Sequence, residues 1–419
     1  MSLDVHLYGE RIGTLFPAGE RDYRFAYAPE LVEKVGAGVS LLSNSLPTRT
    51  EPYSCDATEA FVEGLLPRGL RRRRLARELG ADPEDGYALI AELGRDCAGA
   101  VTFLPKGEAI VRPSETDVAW LAEDELAEAL APSAPYRFDS PPKQRMRFAL
   151  SGVRHKLSLV RDEPGGRWAW PEAGLASTHV VKPETGEYPE FVANEMFCTA
   201  VVREVGLPVA AAAVERIGGR TCLVSRRFDR EGTGLGARRV HQESFCQALG
   251  IPRVAEEAGR DDGDGPGFAE SCGLLRAVAN SVDPSPLFAV AFCNYILGNG
   301  DCHGDNFALL FHGGGVSLAP FYDIASTAVY DEPLHTGMVI AEDYSQTAYL
   351  LELAQIAEDC RSDFDVFREL AASTAAKLGE ALDVVAARAR EEGWYAPVID
   401  SIAELAGERA FGLGIEVEY

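Results

Sequence analysis

The sequence predicts an α+β protein in which strand-rich segments precede a mainly helical segment. Short runs at about residues 1–110 and 146–230 alternate apolar and polar residues, as strands with one buried face do. From about residue 231 to residue 419 the pattern is mainly helical, and its chief interruption is the glycine- and aspartate-rich stretch 259–267. A chain of 419 residues is long enough to form two or three packed units.

The N-terminal section begins with predicted strands. The stretch VHLYGERIGTL indicates a strand, a turn at Gly9 and a second strand. The run YRFAY, at Tyr23–Tyr27, alternates as a third strand with one buried face. A helix is predicted from Ala57 to Leu66, because Pro67 ends the helical pattern.

Two charged stretches follow in this section. Arg71–Arg74 are interpreted as a solvated helix face, because a nucleic-acid patch suits so acidic a chain poorly. Acidic residues and prolines between residues 104 and 145 predict a small acidic helix followed by a linker. They place a domain boundary near Pro142.

The composition disfavours several classes of protein. The formal net charge of −25 disfavours direct binding to nucleic acid, suits a basic protein partner, and also fits a merely solubilising surface. The nine cysteines lack C-x-x-C spacing, which disfavours a disulfide framework or a zinc site and predicts mostly buried thiols. The longest apolar run, Leu287–Leu297, is too short for a membrane span, and the N-terminus lacks a secretory pattern. A soluble cytoplasmic protein is therefore expected.

The most informative segment is Ala291–Ser326. An apolar helix is predicted to end at Gly298, and a polar loop follows it. Asp301 and Asn306 lie five residues apart in this loop, and two short predicted strands then lead to Asp323. Kinase-type phosphoryl transfer uses an Asp to accept the hydroxyl proton, and an Asn and a second Asp to hold Mg²⁺ against the phosphates. The segment therefore predicts Asp301 as the catalytic base and Asn306 and Asp323 as metal ligands.

Two alternative interpretations of the loop remain. His303-Gly304-Asp305 looks like the catalytic loop of antibiotic phosphotransferases, with Asp305 as the base, but that pattern requires an Asn where this chain has Leu310. The second alternative is that Asp301 and Asn306 only cap a turn, as these residue types often do.

A lysine and a glutamate upstream are candidate phosphate-binding groups. Ser177–Lys182 indicates a strand that ends in a lysine, and such a lysine can reach the phosphates of ATP and pair with a helix glutamate. The next helix is predicted to begin near Pro189 and contains Glu195, the expected partner of Lys182. The alternative is that Lys182 is an exposed residue at the end of a strand.

A small turn precedes this strand. Ser151, Gly152 and Val153 lie between two apolar runs, so they form a candidate cover for the phosphates. The turn has one glycine rather than the three of a G-x-G-x-x-G loop, which makes the motif weak.

In this order, the motifs resemble those of the HipA family of bacterial toxin kinases over nearly the whole chain. The matching segments are PTRTEPYSCDATEAFVEGLLP, LSGVRHKLSLV, THVVKPE, ANEMFCTAVVREVGLPV, SRRFDR, RVHQESFCQALG, GDGPG, GNGDCHGDNFALLF and APFYDIAS. The resemblance implies a two-lobed protein-kinase-like fold. It implies an N-terminal α/β subdomain and linker at 1–142, a strand-rich N-lobe at 143–232 and a helical C-lobe at 233–419.

The resemblance also implies roles for individual residues. The catalytic, metal-binding and phosphate-binding candidates keep the roles given above. The resemblance adds a hinge to the nucleotide site, in which Arg226 and Phe228 would offer backbone groups to adenine and Asp229 would lie near the ribose. It also adds His303, which lies in the catalytic loop.

The chain departs from the family pattern at two positions. Family members usually have a regulatory serine three residues before the turn glycine, and this chain has Ala149 there. Ser151, directly before the glycine, matches a second serine of some relatives, so self-inactivation either runs through autophosphorylation of Ser151 or is lost. Arg226 stands where the best-known relative has an acidic residue, which changes the charge near the nucleotide.

The resemblance implies a growth-arresting protein serine/threonine kinase that uses ATP and Mg²⁺. Aminoacyl-tRNA synthetases are targets in the family, and a small basic DNA-binding antitoxin of the HipB kind is the expected partner, so DNA contact is indirect. One alternative is a catalytically silent pseudokinase or co-repressor module, which the intact catalytic set disfavours. The other is a small-molecule kinase, which Leu310 and the extra N-terminal subdomain disfavour.

Overall fold

The computed structural model of the chain confirms the predicted α+β class. It describes residues 1–112, 114–115, 118–131, 149, 152, 154–162, 166–171, 174–251, 265–278, 283–313, 315–330 and 346–412.

Among the described residues, twelve strands and six helices precede residue 245, and helices predominate after it. The strands are β1 (Leu3–Leu7), β2 (Glu10–Pro17), β3 (Tyr23–Tyr27), β4 (Val101–Pro105), β5 (Leu157–Arg161), β6 (Trp168–Ala169), β7 (His179–Pro183), β8 (Ala212–Ile217), β9 (Arg220–Arg226), β10 (Arg230–Glu231), β11 (Arg238–Arg239), β12 (His241–Ser244), β13 (Ala308–His312) and β14 (Gly315–Leu318). The helices are α1 (Pro29–Val35), α2 (Cys55–Glu63), α3 (Gly69–Leu79), α4 (Gly86–Leu93), α5 (Glu123–Ala129), α6 (Phe191–Glu204), α7 (Phe245–Leu249), α8 (Phe268–Val278), α9 (Ser285–Leu297), α10 (Gln346–Asp359), α11 (Phe364–Glu392) and α12 (Val398–Gly412).

The chain divides into two compact units. Unit 1 consists of Met1–Pro183, Arg216–Ala258 and Ala308–Ser317. Unit 2 consists of Glu184–Glu215, Gly259–Phe307 and Leu318–Tyr419. The boundaries at residues 142 and 232 stay predictions from the sequence.

Unit 1 contains the predicted N-terminal strands. They form an antiparallel sheet in the order β3-β2-β1-β4, and the predicted turn at Gly9 has a φ of +86° that suits glycine. The helix predicted after them begins two residues early, at Cys55, because the Ser54 side chain accepts a hydrogen bond from Ala57 N–H. It ends at Glu63 rather than at Leu66.

A second sheet of five strands has the order β6-β5-β7-β9-β8. Strand β7 pairs antiparallel with β5 on one side and with β9 on the other, so it lies in the interior of the sheet. A third sheet, β12-β13-β14, contains the strand HQES. The strand-rich character predicted for residues 146–230 is thereby confirmed.

The arginine run on α3 is less exposed than predicted. Arg71 is buried, and Arg72 is half-buried where its guanidinium donates to the Glu63 carboxylate at 3.1 Å. Of the four arginines only Arg73 is fully exposed. The interpretation as a solvated face is wrong for Arg71, which is buried, and for Arg72, because the buried carboxylate of Glu63 requires a cation beside it.

Unit 2 is built from helices, as predicted for the C-terminal part. The long helix α11 packs against α6, α9 and α10, and α12 packs against α6 and α9. Every residue of α9 from Leu287 to Leu297 is buried, and the rings of Phe288 and Phe367 lie edge to face with centroids 4.3 Å apart. The catalytic loop predicted from the sequence therefore follows the most buried helix of unit 2 among the described residues.

The cysteines and the helices bear on two further expectations. All nine cysteines are free thiols and eight are buried, which confirms their assignment to the core. Among the residues described here, no helix combines the length and apolar character that crossing a membrane requires.

Candidate active site

The predicted catalytic segment begins where α9 ends. Gly298 ends the helix, as predicted, with a φ of +78°. A Cβ atom at this position would lie 2.8–2.9 Å from side-chain atoms of Arg409, Ala328 and Leu405. Glycine satisfies both the backbone conformation and the close packing. The helix therefore stops here and the chain enters the loop 299–306.

Two asparagines join the end of α9 to Asp301. The backbone N–H of Asn299 donates to the carbonyl of Asn294 at 2.8 Å, and its side-chain amide donates to Asn294 Oδ1 at 3.1 Å. Asn299 Oδ1 accepts from the backbone N–H of Asp301 at 3.0 Å. Asn294 is buried and also donates to Cys302 Sγ at 3.1 Å. These bonds fix the start of the loop relative to the buried helix.

The loop brings Asp301, His303 and Asn306 together. His303 Nε2 lies 3.1 Å from Asp301 Oδ1, and Asn306 Nδ2 donates to the carbonyl oxygen of Asp301 at 2.6 Å. The Asp301 side chain is 60% exposed, so a substrate hydroxyl can reach its carboxylate. Asn306 does stabilise the loop, as the turn-capping alternative expects, but its side-chain oxygen is also of the kind that binds Mg²⁺.

Asp323 follows the β13–β14 hairpin in sequence and has a rare backbone conformation. Its φ is +57°, in the left-handed region that residues other than glycine seldom adopt. The hydroxyl of the adjacent Tyr322 donates to the carbonyl of Asp305 at 2.8 Å. The immediate neighbours of Asp323 and Asn306 are thus hydrogen-bonded to each other. A carboxylate and an amide oxygen are types of group that suit Mg²⁺, which usually takes few protein ligands and completes its shell with phosphates and water.

The predicted ion pair joins residues of different units. Glu195 is buried on α6 of unit 2, and Lys182 is half-buried on β7 of unit 1, opposite Leu223 of β9. The strand and the helix predicted for these residues are confirmed, and Lys182 is less exposed than the strand-end alternative requires. Their pairing stays a prediction.

The other nucleotide candidates lie in unit 1. Gly152 has a φ of +106°, its carbonyl accepts from Arg68 N–H at 3.3 Å, and a Cβ there would lie 2.6 Å from Lys156 Nζ. Ser151 and Val153 lie outside the described residues. At the end of β9, Arg226 is exposed and donates to the Gly232 carbonyl at 3.0 Å, and Phe228 is half-buried.

Asp229 is buried in an ionic cluster of unit 1. Its two carboxylate oxygens accept from Arg227 at 2.9 and 2.7 Å, and Oδ2 lies 2.9 Å from Arg230 Nη1. Oδ2 also accepts from the backbone N–H of Gly99 and from the side chain of Gln242, at 2.7 and 3.1 Å. Protein donors thus surround the carboxylate. The location of Asp229 near a ribose stays a prediction.

Asp96 is the second carboxylate of this cluster and is completely buried. It lies 2.6 Å from Arg239, 3.4 Å from Arg230 and 3.6 Å from Arg227. Burial alone would raise the pKa of Asp96, but the guanidinium groups of Arg239, Arg227 and Arg230 outweigh it and lower that pKa to about 2. The cluster joins the segment after α4 to the strands that follow β9.

Sequence reasoning missed several residues that shape this site. Asp96 has no recognisable motif, and its arginine partners lie more than 130 positions away, so no local signal exists. Asn294 had a signal, because it is the single polar residue within the apolar run Leu287–Leu297, whereas Asn194 is followed by Glu195 and does not stand out in the same way. A buried polar side chain needs a partner, and such positions can be flagged before their partners are known.

Comparisons with known proteins agree in pointing to one family. A family model described as HipA N-terminal domain matches residues 3–104, and one described as HipA-like C-terminal domain matches residues 148–390. The Y4mE protein of Sinorhizobium fredii is 33% identical over 79% of this chain and 78% of its own length. The serine/threonine-protein kinase toxin HipA of Shewanella oneidensis is 30% identical over 70% of this chain and 69% of its own.

A solved structure agrees with these matches. It is the complex of HipA, HipB and operator DNA from Shewanella oneidensis MR-1. Its likeness to this chain has a TM-score of 0.77 at 24% identity and covers 99% of this chain and 100% of that chain. The two chains therefore share their fold, which confirms the predicted fold class.

Proposed function

Since the chain belongs to the HipA family, we propose that it is an ATP-dependent kinase that phosphorylates a serine or threonine hydroxyl of a protein. The observation that supports this most is the loop 301–306. It presents an exposed carboxylate on Asp301 while His303 and Asn306 contact that same residue.

Asp301 is the proposed catalytic base. Its carboxylate would accept the proton of the substrate hydroxyl as the oxygen attacks the γ-phosphorus of ATP. The bond from Asp301 N–H to Asn299 restrains the Asp301 backbone, and His303 Nε2 lies 3.1 Å from one oxygen of the carboxylate. Positioning of this kind supplies a large part of catalysis in phosphoryl transfer, since the protein makes little covalent contribution.

Asn306 and Asp323 are the proposed ligands of Mg²⁺, which supplies charge neutralisation on the phosphates when it is bound. Lys182 is proposed to bind the phosphates and Glu195 to orient Lys182. The turn at Gly152 and the hinge residues Arg226 and Phe228 keep their proposed roles toward the phosphates and the adenine. These assignments rest on the family pattern and on the placement of each residue on the expected element.

The proposed biological role is that of a toxin with a protein antitoxin. The Shewanella oneidensis relative is named a toxin, and the solved structure with the same fold contains HipB and operator DNA. A chain of net charge −25 suits a small basic DNA-binding partner, because opposite charge accelerates encounter. We propose an aminoacyl-tRNA synthetase as the substrate class and Ser151 as the autophosphorylation site.

Transfer of labelled phosphate from ATP in the presence of Mg²⁺ tests the proposal. The acceptors are the protein itself, purified aminoacyl-tRNA synthetases and a cell lysate, and mass spectrometry locates the phosphate. Asp301→Asn should abolish transfer, and Ser151→Ala should remove label from the kinase but not from its substrate. Asp365→Asn, a surface change on α11, is the matched control and should leave transfer intact.

Two results would contradict the proposal. Transfer that survives Asp301→Asn but vanishes in Asp305→Asn would favour the phosphotransferase interpretation of the loop. A wild-type protein that binds ATP but transfers phosphate to none of these acceptors would be a pseudokinase.

A further inference from the structure

The side chain of Asn194, on α6, forms a paired hydrogen bond with the backbone of Ser326. Asn194 Nδ2 donates to the Ser326 carbonyl at 2.8 Å, and Asn194 Oδ1 accepts from the Ser326 N–H at 2.8 Å. Asn194 and Ser326 are both completely buried. One side chain thus satisfies both backbone polar groups of a residue 132 positions away, in the same unit.

Ser326 lies at one end of a short segment with Asp323 near its middle, and the other end is also restrained. The N–H of Phe321 donates to the carbonyl of Pro208, and the carbonyl of Phe321 accepts from the N–H of Ala210, both at 2.8 Å. The backbone is therefore hydrogen-bonded to the α6–β8 part of the chain both before and after Asp323.

The conformation of Asp323 indicates what these restraints do. A φ of +57° is unfavourable for an aspartate and persists only where the surrounding structure imposes it. Asn194 and the segment Pro208–Ala210 restrain the two ends of the segment, and the Tyr322 hydroxyl restrains its middle through Asp305. These bonds set the direction in which the Asp323 carboxylate leaves the backbone.

We propose that Asn194 is a positioning residue for Asp323, which it orients for Mg²⁺ through Ser326. The inference rests on the proposed function, because it assumes that Asp323 is a metal ligand. Asn194 also adjoins Glu195 on α6, so its bond to Ser326 links the helix that has the proposed lysine partner to the segment that has the proposed metal ligand. Asn194 is completely buried, and besides Ser326 its side chain donates to the Tyr330 hydroxyl at 3.3 Å and accepts from Cys198 Sγ at 3.5 Å.

A purely structural role for Asn194 predicts a different result. Loss of a buried hydrogen bond would then lower stability and the amount of folded protein, but the folded fraction would bind metal normally. A positioning role predicts weaker metal binding per folded molecule. The Mg²⁺ concentration for half-maximal phosphate transfer distinguishes the two roles. Total activity does not, because it falls both when less protein is folded and when the metal binds more weakly.

The test measures two quantities. The first is Mn²⁺ binding, followed by electron paramagnetic resonance in the presence of a non-hydrolysable ATP analogue. The second is the Mg²⁺ concentration for half-maximal phosphate transfer. The variants are Asn194→Ala and the isosteric Asn194→Asp, which keeps an acceptor for Ser326 N–H but loses the donor to its carbonyl. Thr374→Val is the matched control, because it removes a buried side-chain hydrogen bond to the Leu370 carbonyl on α11, elsewhere in unit 2.

We expect both Asn194 variants to bind Mn²⁺ at least about tenfold more weakly than wild type per folded molecule, and the Mg²⁺ concentration for half-maximal transfer to rise to match. Thr374→Val should stay within about twofold of wild type in both quantities. If Asn194→Ala unfolds, Asn194→Asp alone decides. Metal binding within twofold of wild type in a folded Asn194 variant overturns the inference. If the wild-type protein transfers no phosphate but Mn²⁺ binding weakens in the Asn194 variants as expected, the proposed kinase activity is overturned, while the assignment of Asp323 as a metal ligand and this inference stand. A wild-type protein that binds no Mn²⁺ with the analogue overturns both.

Discussion

The side-chain amide of Asn306 donates a 2.6 Å hydrogen bond to the backbone carbonyl of Asp301, five residues earlier. The bond closes the loop, and it leaves the oxygen of the same amide as a ligand group. The proposed metal ligand and the proposed catalytic base are thus joined by one hydrogen bond, so a change at Asn306 should alter both metal binding and the geometry of the base.

Asn306→Ala should lower kcat for phosphate transfer by about 100-fold or more, because both the ligand oxygen and the loop closure are lost. Asn306→Asp keeps an oxygen ligand but has no N–H to donate to Asp301. It should therefore retain Mn²⁺ binding while kcat still falls. Steady-state kinetics and Mn²⁺ titration check this, and equal kcat for Asn306→Asp and wild type would exclude a role for the loop-closing bond.

Asp96→Asn should destabilise unit 1 strongly. The change leaves three buried guanidinium groups around a single carboxylate, and removal of one partner from a buried ionic cluster lowers the free energy of unfolding by roughly 3–5 kcal/mol. Urea denaturation followed by fluorescence measures it. Glu231→Gln is the control, since the Glu231–Arg238 pair is 58% and 78% exposed and should contribute less than about 1 kcal/mol. Similar losses in the two variants would contradict the prediction.

Glu243 should make stability depend on pH near neutrality. Its carboxylate, on β12, accepts from Ser43 Oγ at 2.5 Å and from Asn44 N–H at 3.0 Å. Burial raises the pKa of Glu243 to about 7, although these hydrogen bonds lower it. The folded state then keeps a proton that the unfolded state loses above its ordinary pKa of 4.5. The free energy of unfolding should therefore fall as pH rises from about 4.5 to about 7, by roughly 3 kcal/mol from this group.

Glu243→Gln should remove that pH dependence. The variant should be more stable than wild type above pH 7, and the difference should shrink as the pH approaches 4.5. Denaturant titrations of both proteins at several pH values between about 4.5 and 8 measure it. A constant difference between the two proteins over this range would show that Glu243 does not titrate there.

Phe288→Ala should destabilise unit 2 by roughly 3–5 kcal/mol, because Phe288 is completely buried on α9 and its ring meets Phe367 at 4.3 Å. Phe288→Leu, which fills part of the cavity, should lose less. Thermal denaturation ranks the variants. Since the proposed catalytic loop follows α9, Phe288→Ala should also lose phosphate transfer at a lower temperature than wild type. Equal stability of Phe288→Ala and Phe288→Leu would contradict the packing role of the ring.

The sequence by itself determined the local parts of this protein. The strand–turn–strand at Gly9, the end of α9 at Gly298 and the loop spacing from Asp301 to Asn306 were all predictable. Backbone conformation and residue types within a few positions decide such features, because glycine alone suits the turns and a five-residue spacing fixes which side chains share a loop. The order of these motifs along the chain then identified the family.

Only the tertiary structure decided which distant residues are partners. Asn194 meets Ser326 across 132 positions, Asp96 lies among arginines more than 130 positions later, and Arg71 is buried where a solvated face was expected. A buried polar group must find a donor or acceptor, but periodicity and composition do not say which remote residue supplies it. The segment around Asp323 is hydrogen-bonded to Asn194, Pro208 and Ala210, and the sequence near Asp323 does not name these partners.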